Sequence, residues 1–354
     1  MLKFYLLLII ALPFTQAIRL FLTNNDGVDD SNIRSLYQVL EETREHQLIL
    51  CAPEIGNPPR RTRGWGLLEG EVPEEEMPEE GDLTADDGGS SSDDGESLSG
   101  NDIWDNDPFP KNPRIRSVPP PQPPELAIGW GLLNLAPKYY KPLDPAPKNQ
   151  PKEREFLPDL FLAGPRVGRS LSIDLRSDQA SRAVQQYARL YGRPSISFAG
   201  ANGYDDRSRP YWSRIYAQLA KNIIQTVIES GKPYLPKDTH LHVNFPPIDV
   251  ENARCTDLGQ FKFILTRESE QEEDSHYDRH SGKYDFPYEF EVMYRREWVN
   301  QCYVSMSLLS PPAVVFDPFA FDLSPFAKAA QRKNSDRKEI IDRLRPILSH
   351  IPEM

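Results

Sequence analysis

A strand that ends in polar residues and a glycine, then a helix, then a second strand, constrains this chain more than any other feature. Ile18-Arg-Leu-Phe-Leu-Thr23 is an apolar run of strand length that gives way to Asn24-Asn25-Asp26-Gly27. Ser31 stands where a helix cap belongs, and Ile33, Leu36, Tyr37, Val39 and Leu40 follow at helical spacing. His46 to Cys51 is the second strand, stopped by Ala52-Pro53. Such a β-α-β unit predicts parallel strands joined by a right-handed crossover. In an α/β domain, ligands collect beyond the carboxyl ends of the strands. Asp26 and the amides of Asn24 and Asn25 stand there as oxygen donors for a cation or a phosphate. Taken alone, an Asn-Asp-Gly run reads as a plain turn.

The rest of the 354-residue chain decides how much of it shares that domain. Residues 1–17 read as a secretory signal: Lys3 for charge, Phe4 to Phe14 for the apolar core, Thr15 and Ala17 at the cleavage site. The predicted location is therefore secreted and extracellular, with no membrane span, because that apolar run is too short and nothing later is longer. In an oxidising compartment Cys255 pairs with Cys302 and Cys51 stays a small apolar strand residue. No Asn-x-Ser/Thr sequon occurs. The net charge of −12 is concentrated: from Glu69 to Asp107 there are 16 acidic residues and no Lys or Arg, which leaves the remainder at +4. The fold is therefore not uniformly repellent to phosphates, and no specific nucleic-acid binding is expected.

The predicted organisation is a first part of the α/β domain over 18–68, an insertion over 69–157, a second part over 158–310, and an extension with a helix over 311–354. The insertion is acidic and disordered at first. From Pro108 to Pro124 it is a proline-rich linker, and 125–135 is partly ordered. Gly129-Trp-Gly-Leu-Leu133 repeats Gly64-Trp-Gly-Leu-Leu68, two short apolar anchors rather than a solenoid. In the second part, Pro158 to Gly168 is a strand entering a glycine-framed loop. Helices are expected over Ser177–Tyr191 and Tyr211–Ser230, with buried strands at Gly192–Gly200 and His240–Pro246. Phe261–Thr266, Tyr288–Tyr294 and Cys302–Leu308 read as antiparallel strands, and Ser335–Ser349 as a closing helix.

Five motifs in order resemble the SurE family of phosphatases and 5′-nucleotidases, in its fungal secreted acid-phosphatase-like form. They are Thr23-Asn-Asn-Asp-Gly27, Cys51-Ala-Pro53, Pro158-Asp-Leu-Phe-Leu-Ala-Gly-Pro-Arg-Val-Gly168, Gly192-Arg-Pro-Ser-Ile-Ser-Phe-Ala-Gly200 and Leu241-His-Val-Asn-Phe-Pro246. They span Ile18–Gly66 and Leu126–Leu308, most of the chain outside the insertion. The resemblance implies a three-layer α/β/α Rossmann-like domain with an antiparallel extension. It implies hydrolysis of phosphate monoesters or nucleotides, and members that often associate through the C-terminal region. It also implies a divalent metal, Mg²⁺ or Mn²⁺, held by hard oxygen donors that leave positions open for water and phosphate.

Carried over position by position, that site is altered. Asn25 stands for the first of two carboxylates and Asp26 is the second. Arg63 replaces a Ser, with Thr62 adjacent, and Arg166 replaces an Asn. Gly164, Arg166, Gly168 and Ser177 are the phosphate-side positions, and Asp178 puts an acid where the family offers helix N–H groups to phosphate. Guanidinium groups have no lone pair for a metal but bind phosphate oxygens in bidentate fashion. Two function classes stay open: a secreted phosphomonoester hydrolase weakened at its metal site, and a non-catalytic protein that binds a phosphate- or nucleotide-like anion through Arg166 and Arg63. In the first a divalent metal is the cofactor; in the second there is none. His240, His242, His276 and His280 are not read as a zinc site, since no thiolate or buried carboxylate joins them. Arg60-Arg61 reads as a solvated loop rather than a processing site.

Overall fold

The computed structural model describes residues 17–54, 112–118, 123–142, 155–172, 178–203, 209–267, 286–309 and 339–349. The sequence readings for the leader, Arg60–Arg63, the acidic segment, Ser177, His276 and His280 lie outside these residues. In chain order the elements are β1 (Arg19–Thr23), α1 (Ser31–Glu42), β2 (Gln47–Pro53), β3 (Ile115–Val118), α2 (Pro124–Asn134), α3 (Ala136–Tyr139) and β4 (Leu160–Val167). There follow α4 (Gln179–Tyr191), β5 (Ser195–Gly200), α5 (Arg209–Glu229), β6 (His240–Phe245), β7 (Lys262–Thr266), α6 (Glu289–Tyr294), α7 (Arg296–Val299) and β8 (Tyr303–Leu309).

The strands form one sheet in the order β3-β2-β1-β4-β5-β6-β8-β7. The first six are parallel neighbours, β8 runs antiparallel to β6, and β7 runs parallel to β8. Side chains alternate across a strand, and the alternation divides the core into two layers. Leu20, Leu22, Leu50, Leu162 and Ile196 face α1 and α5, which supply Ile33, Leu36, Trp212, Tyr216 and Ile223. Phe21, Ile49, Cys51, Phe161 and Ala163 face α2 and α4, which supply Ala127, Ile128, Ala183 and Val184. The predicted three-layer α/β/α Rossmann-like class therefore holds, with both sheet faces covered as parallel strands require.

Four expectations change. The proline-rich stretch read as linker contains β3, which pairs in parallel with β2. A four-residue edge strand needs only one hydrogen-bonding neighbour, so flanking prolines do not prevent it. The partly ordered stretch is the full helix α2, which meets the sheet at Gly131, where an added Cβ would lie 2.7 Å from the Phe21 ring. Tyr288–Tyr294 is not a strand: Glu289–Tyr294 is helical, with Glu289, Val292 and Met293 on its buried side. The i, i+3, i+4 spacing of those three is helical, and the aromatics around them had suggested a strand. The antiparallel extension reduces to one pairing, β6 with β8. A helical segment at 339–344 lies within the closing helix expected over Ser335–Ser349, and it buries Ile340, Ile341 and Leu344 in the main core.

The end of β4 departs from regular pairing at Gly164 and Pro165, and pairing with β5 resumes at Arg166. The register against β5 shifts between Ala163 and Arg166. Gly164 has φ +80°, and a Cβ there would meet the Phe198 carbonyl oxygen at 2.3 Å. Gly168 has φ +86° but open space around it. Two glycines with one conformation and different surroundings make a paired test. Gly164→Ala is expected to lower stability by about 3 kcal/mol, since strain and a backbone clash act together. Gly168→Ala is expected to cost about 1 kcal/mol from conformation alone. Urea midpoints at unchanged m measure both, and equal losses would rule out the backbone clash at Gly164.

Candidate functional site

In the sheet order the chain leaves β1 toward β2 on one side, while β4 lies on the other. That reversal opens a crevice beyond the carboxyl ends of β1 and β4, the usual place for a ligand in such sheets. Asn24, Asn25 and Asp26 enter it directly from β1, and Arg166, Val167 and Gly168 from the shifted end of β4. Asp26 Oδ2 accepts a hydrogen bond from the Val167 N–H at 2.8 Å, tying the two ends together. Asn25 Oδ1 accepts from the Ala180 N–H at 3.1 Å, in the first turn of α4. Asn24 folds back so that its Oδ1 accepts from the Asn25 N–H at 2.9 Å.

Arg166 and Asp178 complete the group. Asp178 caps α4, its Oδ1 accepting from the Ser181 N–H at 2.9 Å. Its Oδ2 lies 3.8 Å from Arg166 Nη1. That separation is Coulombic contact, longer than a hydrogen bond. The Arg166 side chain is only 12% exposed, and its Nε and Nη1 have no hydrogen-bond acceptor. Donors withdrawn from water without a partner are costly, so this guanidinium is set to receive an acceptor.

The loop that carries these groups is pinned from behind. Ser170 Oγ donates to Asp178 Oδ2 at 3.4 Å. The Ser170 N–H donates to Asn244 Oδ1 at 3.1 Å, and its carbonyl accepts from Asn244 Nδ2 at 2.6 Å. Asn244 Nδ2 also donates to Glu289 Oε1 at 2.9 Å, and Glu289 Oε2 accepts from the Ser172 N–H at 2.8 Å and from Ser172 Oγ at 2.5 Å. Glu289 is fully buried with three donors on it. Arg169 lies over the Tyr294 ring, 4.6 Å from its centre.

Behind Ser170 runs a chain of alternating serines and histidines. His242 Nε2 lies 2.6 Å from the Ser170 carbonyl oxygen, which can only accept, so His242 donates there. With both rings neutral, every proton is then fixed. Ser197 Oγ–H donates to His242 Nδ1 at 2.6 Å, His240 Nε2–H donates to Ser197 Oγ at 2.7 Å, and Ser195 Oγ–H donates to His240 Nδ1 at 2.8 Å. All four ring nitrogens are committed to protein partners, so this pair does not serve a zinc ion.

Of the residues expected at the site, Asn25, Asp26, Gly164, Arg166 and Gly168 meet at the crevice; Arg63 and Ser177 lie outside the described residues. Among the described residues Asp26 and Arg166 cancel, and Asp178 adds a charge to the crevice that the carried-over ligand positions did not include. Asp26, Arg166 and Asp178 together carry −1, because the capping acid of α4 turns onto the arginine. Asp178 was legible as an acid at a helix start, but its contact with Arg166 was not. Ser170, Asn244 and Glu289 were missed as positioning residues; Asn244 stood in a quoted motif, and Glu289 was hidden by the strand reading. Cys255 and Cys302 form the expected disulfide, with Cα atoms 5.5 Å apart, and Cys51 is free and buried.

The residues present do not suit Mg²⁺ or Mn²⁺. Asn25 and Asp26 each spend an oxygen on a backbone N–H, and the next side chain in the crevice is a cationic donor. Among the described residues, no three His, Cys, Asp or Glu side chains are placed to hold a metal ion. None of the described helices is long and apolar enough to cross a membrane.

No protein-family model matches the chain, and no curated protein matches it. Among solved structures, the SurE protein from Aquifex aeolicus matches with a TM-score of 0.48 and 16% identity, over 88% of this chain and 99% of that one.

The histidine chain sets a pH dependence of stability. Burial, with His242 beside it, pushes His240 down to about 3 from 6.5. The unfolded chain thus binds a proton below pH 6.5 that the folded protein refuses until about pH 3. The His240 contribution is intact above 6.5 and falls by about 1.4 kcal/mol per pH unit as pH drops through that window. His240→Gln is expected to flatten the slope by that amount when urea midpoints are followed from pH 7 to 4. An unchanged slope would contradict a neutral, buried ring.

Proposed function

We propose that this chain is a SurE-like domain without effective metal-dependent hydrolysis, which holds a phosphate monoester or nucleotide-like anion in the β1–β4 crevice through Arg166. The observation that carries this reading is the buried Arg166 guanidinium, with two N–H-bearing nitrogens lacking any acceptor. A phosphate oxygen supplies the acceptor without a metal, in the bidentate geometry a guanidinium favours. Asn25 and Asp26 act as framework: they fasten β1 to the first turn of α4 and to the end of β4. Asp178 acts as an internal competitor, a carboxylate already beside the arginine, and it weakens the site for external anions.

The second reading is a weakened hydrolase, favoured by the position of Asp26 at the end of β1, where a carboxylate would hold a metal. The leader-like residues 1–17 and the Cys255–Cys302 disulfide support secretion, since structural disulfides persist in oxidising compartments.

The readings separate in one set of measurements on the full chain. Calorimetric titration with a nucleoside monophosphate is expected to show binding that weakens at least tenfold in Arg166→Gln. Asp178→Asn keeps an equally good helix cap while removing the competing charge, and is expected to tighten binding about tenfold. A phosphomonoesterase assay with and without Mn²⁺ is expected to show no metal-dependent turnover. Robust turnover that depends on Mn²⁺ and is lost in Asp26→Asn would establish the hydrolase instead.

A further inference from the structure

The opposite edge of the sheet carries a second concentration of charge that the crevice does not explain. Asp159 precedes β4, and Arg19 opens β1 beside it. Arg19 saturates this carboxylate: its backbone N–H and Nε reach Oδ2 at 3.0 and 3.2 Å, and its Nη2 reaches Oδ1 at 3.2 Å. Burial pushes the Asp159 carboxyl up, but the Arg19 hydrogen bonds outweigh it and hold it below the usual range, so it stays ionised. Arg19 and Asp159 are thus a closed pair with no net charge.

Two more cations converge on the same oxygen. Arg193, just before β5, places Nη1 3.8 Å from Asp159 Oδ1, and Lys232, in the turn after α5, places Nζ 3.9 Å from it. Neither distance is a hydrogen bond. Among the described residues, neither the Arg193 guanidinium nor the Lys232 ammonium makes a side-chain hydrogen bond, and Asp159 is the carboxylate each faces. The Arg193 side chain is 26% exposed and none of its nitrogens is both fully buried and unpartnered, so this five-donor group can be reached by a ligand from solvent. Tyr234 is buried alongside, with its ring 5.9 Å from Lys232 Nζ. Its backbone sits at φ +63°, a conformation that costs a non-glycine residue energy and concentrates at ligand sites. The four charged groups sum to +2.

We propose that Arg193 and Lys232 form an oxyanion site at the amino edge of the sheet, separate from the Arg166 crevice, which takes a tetrahedral dianion of the phosphate or sulfate type. A dianion matches the uncompensated charge. A fork-shaped guanidinium and a point-charge ammonium converging on one spot bridge two oxygens of a tetrahedral group. A carboxylate ligand neutralises only half the excess. The site is independent of the function proposed above, since it shares no residue with the crevice.

Calorimetric titration of the full chain with inorganic phosphate at pH 7.5, at ionic strength fixed with chloride, tests the site. Arg166→Gln should leave a phosphate-binding event in place, and Arg193→Gln or Lys232→Gln should weaken that event at least tenfold. Lys232 is half exposed, so its variant remains readable if loss of Arg193 disturbs folding. Sulfate should compete, and acetate should bind at least tenfold more weakly. A parallel titration with glycerol 2-phosphate identifies the source: tighter binding than inorganic phosphate marks the end group of a larger molecule, and weaker binding marks the free ion. The site is overturned if wild type binds no phosphate, if Arg166→Gln removes all binding, if both amino-edge variants bind as wild type does, or if acetate binds equally well.

Discussion

The hydrogen bond from the Val167 N–H to Asp26 Oδ2 carries the β1–β4 contact one step beyond their ladder, which pairs as far as Thr23 and Ala163, into the loop where the chain leaves β1. β1 has β2 on one side and β4 on the other, and the chain departs from it in a single direction. A gap between β1 and β4 is therefore unavoidable at their carboxyl ends, and something polar must line it. This protein lines it with its own groups: Asp26 onto β4, Asn25 onto α4, and Asp178 beside Arg166. What can bind there is set by how much hydrogen-bonding capacity those internal contacts leave over; the cationic surplus lies on Arg166, with Thr23 Oγ1 and Asn24 Nδ2 also unpartnered at the end of β1.

Hydrogen-bonding capacity also distinguishes the two faces of the sheet's second half. On the α5 side, β5, β6 and β8 present Ile196, Phe198, Leu241, Val243, Val304 and Met306, an ordinary apolar core. On the other side the alternating positions are Ser195, Ser197, His240, His242, Asn244, Ser305 and Ser307, all buried. Burying polar groups is costly unless they pair, and all of these except Ser305 do. The Ser–His–Ser–His order achieves this by passing each proton to the next ring until a backbone carbonyl ends the run at Ser170. A hydrogen-bonded face fixes direction and spacing more tightly than apolar packing does. The loop from Gly168 to Ser172, which leads toward Asp178 and the crevice, is fastened to that face.

The amino edge repeats the pattern of the crevice with different partners. In both places an arginine lies 3.8 Å from a carboxylate engaged elsewhere, Arg166 by Asp178 and Arg193 by Asp159. The difference lies in the balance of charge. Asp178 and Asp26 outnumber Arg166 among the described residues of the crevice, whereas Arg19, Arg193 and Lys232 outnumber Asp159 at the other edge. The crevice therefore restrains its arginine, and the amino edge leaves two cations unmatched.

The α/β class, the parallel opening unit, the disulfide partners and the location of the crevice were all legible along the chain. The disulfide was read from three cysteines in an oxidising compartment; the others follow from local pattern: apolar runs of strand length, helical spacing after a capping residue (Asp30 in the structure, one before the Ser31 expected), and a polar strand end before a glycine. Which charges meet was settled only on folding. Asp178 is twelve residues from Arg166 in sequence and faces it because α4 starts where β4 ends; Asp159 gathers Arg19, Arg193 and Lys232 from three separate places in the chain, the start of β1, the approach to β5 and the turn after α5. The helical state of Glu289–Tyr294 and the strand at Ile115–Val118 were likewise settled by neighbours, a buried Asn244 and an open edge of β2. Hydrophobic periodicity can be read along a chain because it repeats within each element. Pairing between lone polar groups depends on distances that exist only once the elements have packed.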